Sequence, residues 1–402
     1  MSRIPPAFTL TCLGLLMQGC VGAVAAPPAL APAPTAVRVS PQIISKDAAA
    51  SERELFEWGQ RALLEQHWRE AADAFEMLLA ASRVSGEQYG KYGDAYGSPG
   101  GPELSTILFD LGVAYEGLGE REAARDRYHE LARRFPESAQ ARAALVRVVV
   151  LHAYLEEWTS LGETANALLA RKDLNDVDRL TALGARGLAR VEAGDDAAAM
   201  RDVQQGLDIV EELHYGAENR LPVGAAQLRF ALAEVRRVRS ERIGFLPVTP
   251  DFLVKIEMRC QGLLDAQNAY ADAIRSVDPH WAAMSGYRIG EMYRVLHRDL
   301  MEIPPTDAAK TEPQKQLFFA MMHVRYRALL DKGIEMMRRT IALADKVNDA
   351  SSWATRARAA QAEMEIALAD EKATLAKFPY TEAEVEKALG ILQKKAEAKA
   401  AP

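Results

Sequence analysis

The residues in this chain that could carry chemistry are few and poorly spaced for it. His297-Arg298-Asp299-Leu300 spells the opening of a phosphoryl-transfer catalytic loop. That loop needs an asparagine five residues beyond the aspartate to hold a metal ion, and Pro304 stands there instead. No glycine-rich phosphate loop and no Asp-Phe-Gly accompany it. The seven histidines are His67, His129, His152, His214, His280, His297 and His323, and no two are three or four residues apart. No single helix therefore presents paired imidazoles to zinc, and neither a metal nor a cofactor is expected. Asp195-Asp196 follow Gly194 and read as a helix-to-helix turn, not an acid–base pair. Gly-x-Ser-x-Gly and a Cys-His nucleophile pattern are both missing. No catalytic residue is assigned, and the chain is not expected to be an enzyme.

Charge narrows the partners. A net charge of -7 argues against general nucleic-acid binding, which uses a basic domain. Arg236, Arg237, Arg239 and Arg242 form a local basic stripe, read as a solvated helix face, with a phosphate or acidic-partner site as the alternative. Of the three cysteines, Cys12, Cys20 and Cys260, the last reads as a small buried hydrophobe in a helical segment. The amino terminus resembles an export signal. Arg3 gives a positive start, Ala7 to Met17 an apolar run too short to span a bilayer, and Met17-Gln18-Gly19-Cys20 resembles a bacterial lipobox. That resemblance makes Cys20 the lipidation site and first mature residue, after a signal peptide over 1–20. Cleavage after Ala25, within Ala23-Val24-Ala25, is the alternative and would leave a soluble periplasmic or secreted protein. Residues 21–50 are rich in Ala and Pro and read as an extended tether.

The elements that follow are helical. Leu108, Leu111, Gly112, Tyr115, Gly119, Ala124, Tyr128, Leu131 and Pro136 stand at the spacing of two antiparallel helices with small residues at their crossing. Residues 108–136 therefore resemble a tetratricopeptide repeat (TPR). That resemblance implies an all-α, right-handed superhelical solenoid whose usual role is to hold partners. A less regular hairpin precedes it over 52–82, with Trp58-Gly59 at its crossing and Trp68, Ala71 and Phe75 on its second helix. The segment Val84–Pro102, dense in glycine, reads as an insert between repeats. Its Tyr89, Tyr92 and Tyr96 make it a candidate binding loop, with a plain flexible insert as the alternative.

Further hairpins read over 138–172 and 176–213, and beyond Pro222 the helices lengthen. Ile289, Gly290 and Tyr293 repeat the relation of Leu111, Gly112 and Tyr115. In all about six hairpins are expected. They form a TPR-like region over 51–221, elongated hairpins over 222–378, and a polar capping helix and tail over 379–402.

In TPR folds the first helices of successive hairpins line a groove. The resemblance implies groove positions Thr106, Phe109, Val113 and Glu116 around Gly112, and Met284, Tyr287, Glu291 and Arg294 around Gly290. Around Gly184 it implies Asp178, Thr181, Ala185 and Leu188. The mixed, moderately apolar character suits an extended or helical protein segment. The expected role is a non-catalytic scaffold in the bacterial envelope, anchored through Cys20 to the periplasmic leaflet of the outer membrane. The elongated hairpins, with Tyr287-Arg288-Ile289-Gly290 ahead of Pro304-Pro305, are similar to TPR proteins of myxobacterial envelopes, some in gliding-motility complexes. A pilotin or secretin-type assembly factor, or the regulatory subunit of an envelope enzyme, are the alternatives.

Overall fold

In this computed structural model residues 52–89, 103–215, 222–275, 278–305, 309–346 and 352–400 are described, and among them are fourteen α-helices and no strand. The all-α expectation holds. The chain forms two compact units that divide between Ala193 and Gly194. The first holds α1 (Glu52–Leu64), α2 (Trp68–Tyr89), α3 (Leu104–Leu118), α4 (Arg121–Arg134), α5 (Ala141–Tyr154), α6 (Trp158–Leu169) and α7 (Asp176–Glu192). The second holds α8 (Asp196–Glu212), α9 (Val223–Glu241), α10 (Phe252–Ile274), α11 (Pro279–Met301), α12 (Glu312–Lys346), α13 (Ser352–Leu375) and α14 (Glu382–Ala400). The division falls within the 51–221 region read from the sequence, ahead of the elongated hairpins. The stretch after Pro222 belongs with α8 because Arg239 and Arg242 of α9 both reach Asp196, at 2.8 and 2.5 Å.

The repeat over 108–136 folds as its residues require. Leu108, Leu111, Ala124, Tyr128 and Leu131 are fully buried in one core that also takes in Phe75, Leu78 and Val148. Gly112 allows the close crossing: a Cβ there would stand 2.5 Å from Cε1 of Tyr128. Gly119 ends α3 in the left-handed region, at φ 77°, where glycine avoids the Cβ clash. The second unit builds a similar crossing with different residues. Gly290 of α11 meets Gly333 of α12, each carbonyl oxygen 3.3 Å from where the other's Cβ would lie. The same Cβ at Gly333 would also stand 2.6 Å from Sδ of Met364 of α13, so α12 is approached closely by both neighbours there.

Two expectations change. The insert does not begin at Val84, because α2 runs on to Tyr89. A single Gly86 among Ser, Glu and Gln costs a helix only about 1 kcal/mol, too little to end it. Tyr89 is therefore the last residue of a helix and not part of a loop, while Tyr92 and Tyr96 lie outside the described residues. The capping helix α14 lies chiefly along α12. Arg327 of α12 hydrogen-bonds Glu382, and the Tyr380 hydroxyl donates to the Pro313 carbonyl at 3.0 Å. Thr381 and Glu384 form a reciprocal capping box, the Thr381 N–H donating to Glu384 Oε2 at 2.8 Å.

The second unit carries an unusual amount of buried charge. Glu234 of α9 is fully buried and takes Arg237 at 2.6 Å, Arg288 of α11 at 3.0 Å and the Tyr270 hydroxyl at 2.5 Å. Arg259, only 1% exposed, donates to the carbonyls of Glu241 and Ile243 and to Asp299 Oδ2 at 2.6 Å. It thereby satisfies orphan carbonyls at the C-terminal end of α9 and ties them to α11. No helix among the described residues is long and apolar enough to cross a membrane.

Candidate interaction face

Residues that could have done chemistry have structural partners. Asp299 of the His297-Arg298-Asp299-Leu300 run serves Arg259, and Leu300 is core. His297 Nε2 lies 2.6 Å from Glu371 Oε1, with His323 Nδ1 3.3 Å from the same oxygen. Burial works against a charged Glu371, but His297 and His323 outweigh it and hold the carboxyl at about 2. A carboxylate depressed in this way stabilises the fold above its ordinary range and loses that contribution as pH falls from about 4.5 toward about 2. Glu371→Gln should therefore lower the urea midpoint of the second unit at neutral pH and flatten its dependence on pH in that acid window. An unchanged acid profile would show that the three side chains do not act together. Asp195 caps α8 by accepting from the Ala198 N–H at 2.9 Å. Asp196, hydrogen-bonded by Arg239 and Arg242, is held at about 2. Among the described residues no group of His, Cys, Asp and Glu is arranged to hold a metal ion.

The basic stripe is not a free anion site. Arg236 donates to the Asp265 carbonyl, Arg237 lies between Glu234 and Glu241, and Arg239 and Arg242 share Asp196. Arg239 and Arg242 join the C-terminal end of α9 to α8, Arg236 joins α9 to α10, and Arg237 pairs within α9 itself.

The groove positions divide. In the first unit α1, α3, α5 and α7 lie in sequence along one side, linked by polar side chains. Gln60 donates to Asp110 at 3.4 Å, Gln140 to Thr106 at 3.0 Å, Arg147 to Glu116 at 3.3 Å and Arg142 to Asp178 at 2.7 Å. Burial raises the carboxyls of Asp110 and Asp178 above their ordinary values. Between these links Phe109 and Val113 are half-buried, each resting one side on the core. The Phe109 ring lies 5.4 Å from that of Tyr128. Of the α7 positions only Asp178 reaches this face; Thr181, Ala185 and Leu188 are buried.

The second set does not line an open groove. Met284 is fully buried, because α11 turns that position into the helix stack. Tyr287 is half-buried and packs edge-on to Trp353 of α13 at 5.3 Å. Glu291 and Arg294 form a bidentate pair at 2.7 and 3.0 Å, and Arg294 also approaches Glu363 of α13 at 3.6 Å. The next helix of the stack thus covers the face that the sequence left open. Residues missed by sequence reasoning are the cross-links Gln60, Asp110, Gln140, Arg142 and Arg147. Their only signal is that each is polar on the groove side of a first helix.

The fold is similar to that of a tetratricopeptide repeat protein from Parabacteroides merdae ATCC 43184. Identity is 11%, the match covers 86% of this chain and 98% of that one, and the TM-score is 0.39. No family model and no curated protein matches the chain. The TPR-like character therefore rests on the geometry itself, on Gly112 against Tyr128, the left-handed Gly119 and the stacked hairpins.

Proposed function

We propose that this chain is a non-catalytic scaffold that holds a protein segment on the α1–α3–α5 face of its first unit. The observation that carries this reading is the pair Phe109 and Val113. Both keep one side exposed between polar links contributed by neighbouring helices. An extended or helical segment would cover the two apolar side chains and take hydrogen bonds from Arg147, about half exposed, and its neighbours. Stacked helical hairpins commonly use such surfaces for protein partners.

Support for an envelope location is the run Met17-Gln18-Gly19-Cys20 and the Ala/Pro-rich tether behind it. Several acyl chains on one Cys20 would suffice for stable anchoring to the outer membrane. The narrower assignment to a gliding-motility complex rests on the Tyr287–Pro305 sequence resemblance alone.

A photo-cross-linker at Val113 in the native host should give a discrete protein adduct, and one at the exposed Met77 should not. Phe109→Ala should weaken that adduct several-fold while the protein stays folded. No adduct at Val113 from a folded protein would overturn the face. Separately, Cys20→Ser should abolish fatty-acid labelling; undiminished labelling would remove the membrane anchor from the reading.

A further inference from the structure

Helix α13 uses only one of its sides. Trp353, Ala357, Ala360 and Met364 are buried against α11 and α12. On the opposite side Thr355, Ala359, Ala362 and Ile366 are exposed, Ile366 at 63%. These positions are four, three and four apart, the spacing of a helix-to-helix seam. Since α14 lies chiefly along α12, it leaves this side uncovered among the described residues.

The charges beside the seam say what would cover it. Arg356 and Glu363 run along one edge, Arg358 and Glu365 along the other, and all four are exposed. Each basic residue stands one heptad ahead of an acidic one. In an antiparallel pair of such helices Arg356 of each copy meets Glu363 of the other, and Arg358 meets Glu365. The same register sets Ala359 against Ala362 and Thr355 against Ile366. A parallel pair is worse, because it would keep one attractive contact, Arg358 with Glu363, and bring Glu365 toward Asp370.

A second feature agrees. A cleft of about 390 Å³ opens beside Glu365, between α12 and α13, over Ile334 and Leu368. Its acidic side chains Asp331, Glu335 and Glu365 outnumber Arg338 and Lys372, which leaves room for an incoming arginine. Three of the flanking charges sit in surface pairs, Arg358 with Asp345, Glu365 with Arg338 at 3.1 Å and Glu363 with Arg294 at 3.6 Å, while the Arg356 guanidinium lies 4.8 Å from the centroid of the Trp353 ring. Exposed pairs of this kind are weak and exchange readily.

We propose that α13 is a self-association face, on which a second copy of this chain lays its own α13 antiparallel through the Thr355–Ile366 seam. Sedimentation velocity of the purified full chain across concentration tests this at low ionic strength. A monomer–dimer equilibrium is expected, weakened at least tenfold by Ile366→Glu with thermal unfolding unchanged, since Ile366 is exposed. The double variants Arg356→Glu/Arg358→Glu and Glu363→Arg/Glu365→Arg should each be monomeric alone and dimerise when mixed. A chain that is monomeric at every concentration overturns the proposal. So does a dimer indifferent to Ile366→Glu, or a mixture that associates no more tightly than its components.

Discussion

Glu234→Gln should cost the second unit about 3–5 kcal/mol, the loss expected when one member of a buried charged group is neutralised. Glu234 is fully buried and receives Arg237, Arg288 and Tyr270 at once. Burial disfavours its charge, yet Arg288 and Arg237 outweigh that cost and hold the carboxyl below its ordinary range. Burial and the adjacent carboxylate in turn drive the Tyr270 phenol well above its own. Neutralising Glu234 takes a buried carboxylate from Arg288 and leaves Arg237 with Glu241 alone, so the desolvation of both guanidinium groups is less well offset. The network as a whole is a different matter: replacing Glu234, Arg237 and Arg288 together by leucine or methionine should recover much of the loss. Hydrogen exchange resolved by unit would read the effect, because an aggregate melt mixes two cooperative blocks. Protection should fall in α9–α11 and stay unchanged in α3–α5. Since the folded carboxyl is depressed, its stabilisation is present above the ordinary carboxylate range and lost as pH falls below it. Wild type should therefore approach the variant's stability in acid. A Glu234→Gln protein as stable as wild type at neutral pH would show that the charges contribute nothing net.

How much of this was legible in the sequence depends on how local each determinant is. The α3/α4 hairpin could be read because Gly112, Gly119 and Tyr128 lie within one repeat and act on each other across a single turn. Gly290 was legible too, but its counterpart Gly333 was not, since α12 has no repeat signature to fix its register. Met284 and Tyr287 were misplaced for the same reason. Whether a helix face is open depends on the next helix in the stack, and Trp353 gives no sign in the sequence that it lies over Tyr287. The arginines of α9 resembled a solvated stripe because their partners, Asp196 and the Asp265 carbonyl, lie on other helices. Spacing reports which face of a helix is apolar or charged, but not what is set against it.

Gly112→Ala offers the sharpest test of the first unit. The added methyl would stand 2.5 Å from Cε1, 2.6 Å from Cζ and 2.9 Å from Cδ1 of Tyr128, well inside van der Waals contact with a rigid ring. That ring has no exposed surface and has Phe109 beside it, so it has little room to swing aside. Overpacking of this kind costs about 1–3 kcal/mol, and the better helix propensity of alanine returns about 1 kcal/mol of it. Tyr128→Ala removes the obstacle but opens a cavity in the core, with a loss of about 3–5 kcal/mol. The informative protein is the double variant. If the methyl and the ring compete for one space, Gly112→Ala in the Tyr128→Ala background should be neutral or stabilising, because the clash is gone and the propensity gain remains. The coupling between the two positions should then exceed about 1 kcal/mol in a double-mutant cycle of denaturant midpoints, against near-additivity for sites that do not touch. Additive losses would mean that the crossing relaxes around alanine, and that the glycine at the centre of this hairpin is not held there by Tyr128.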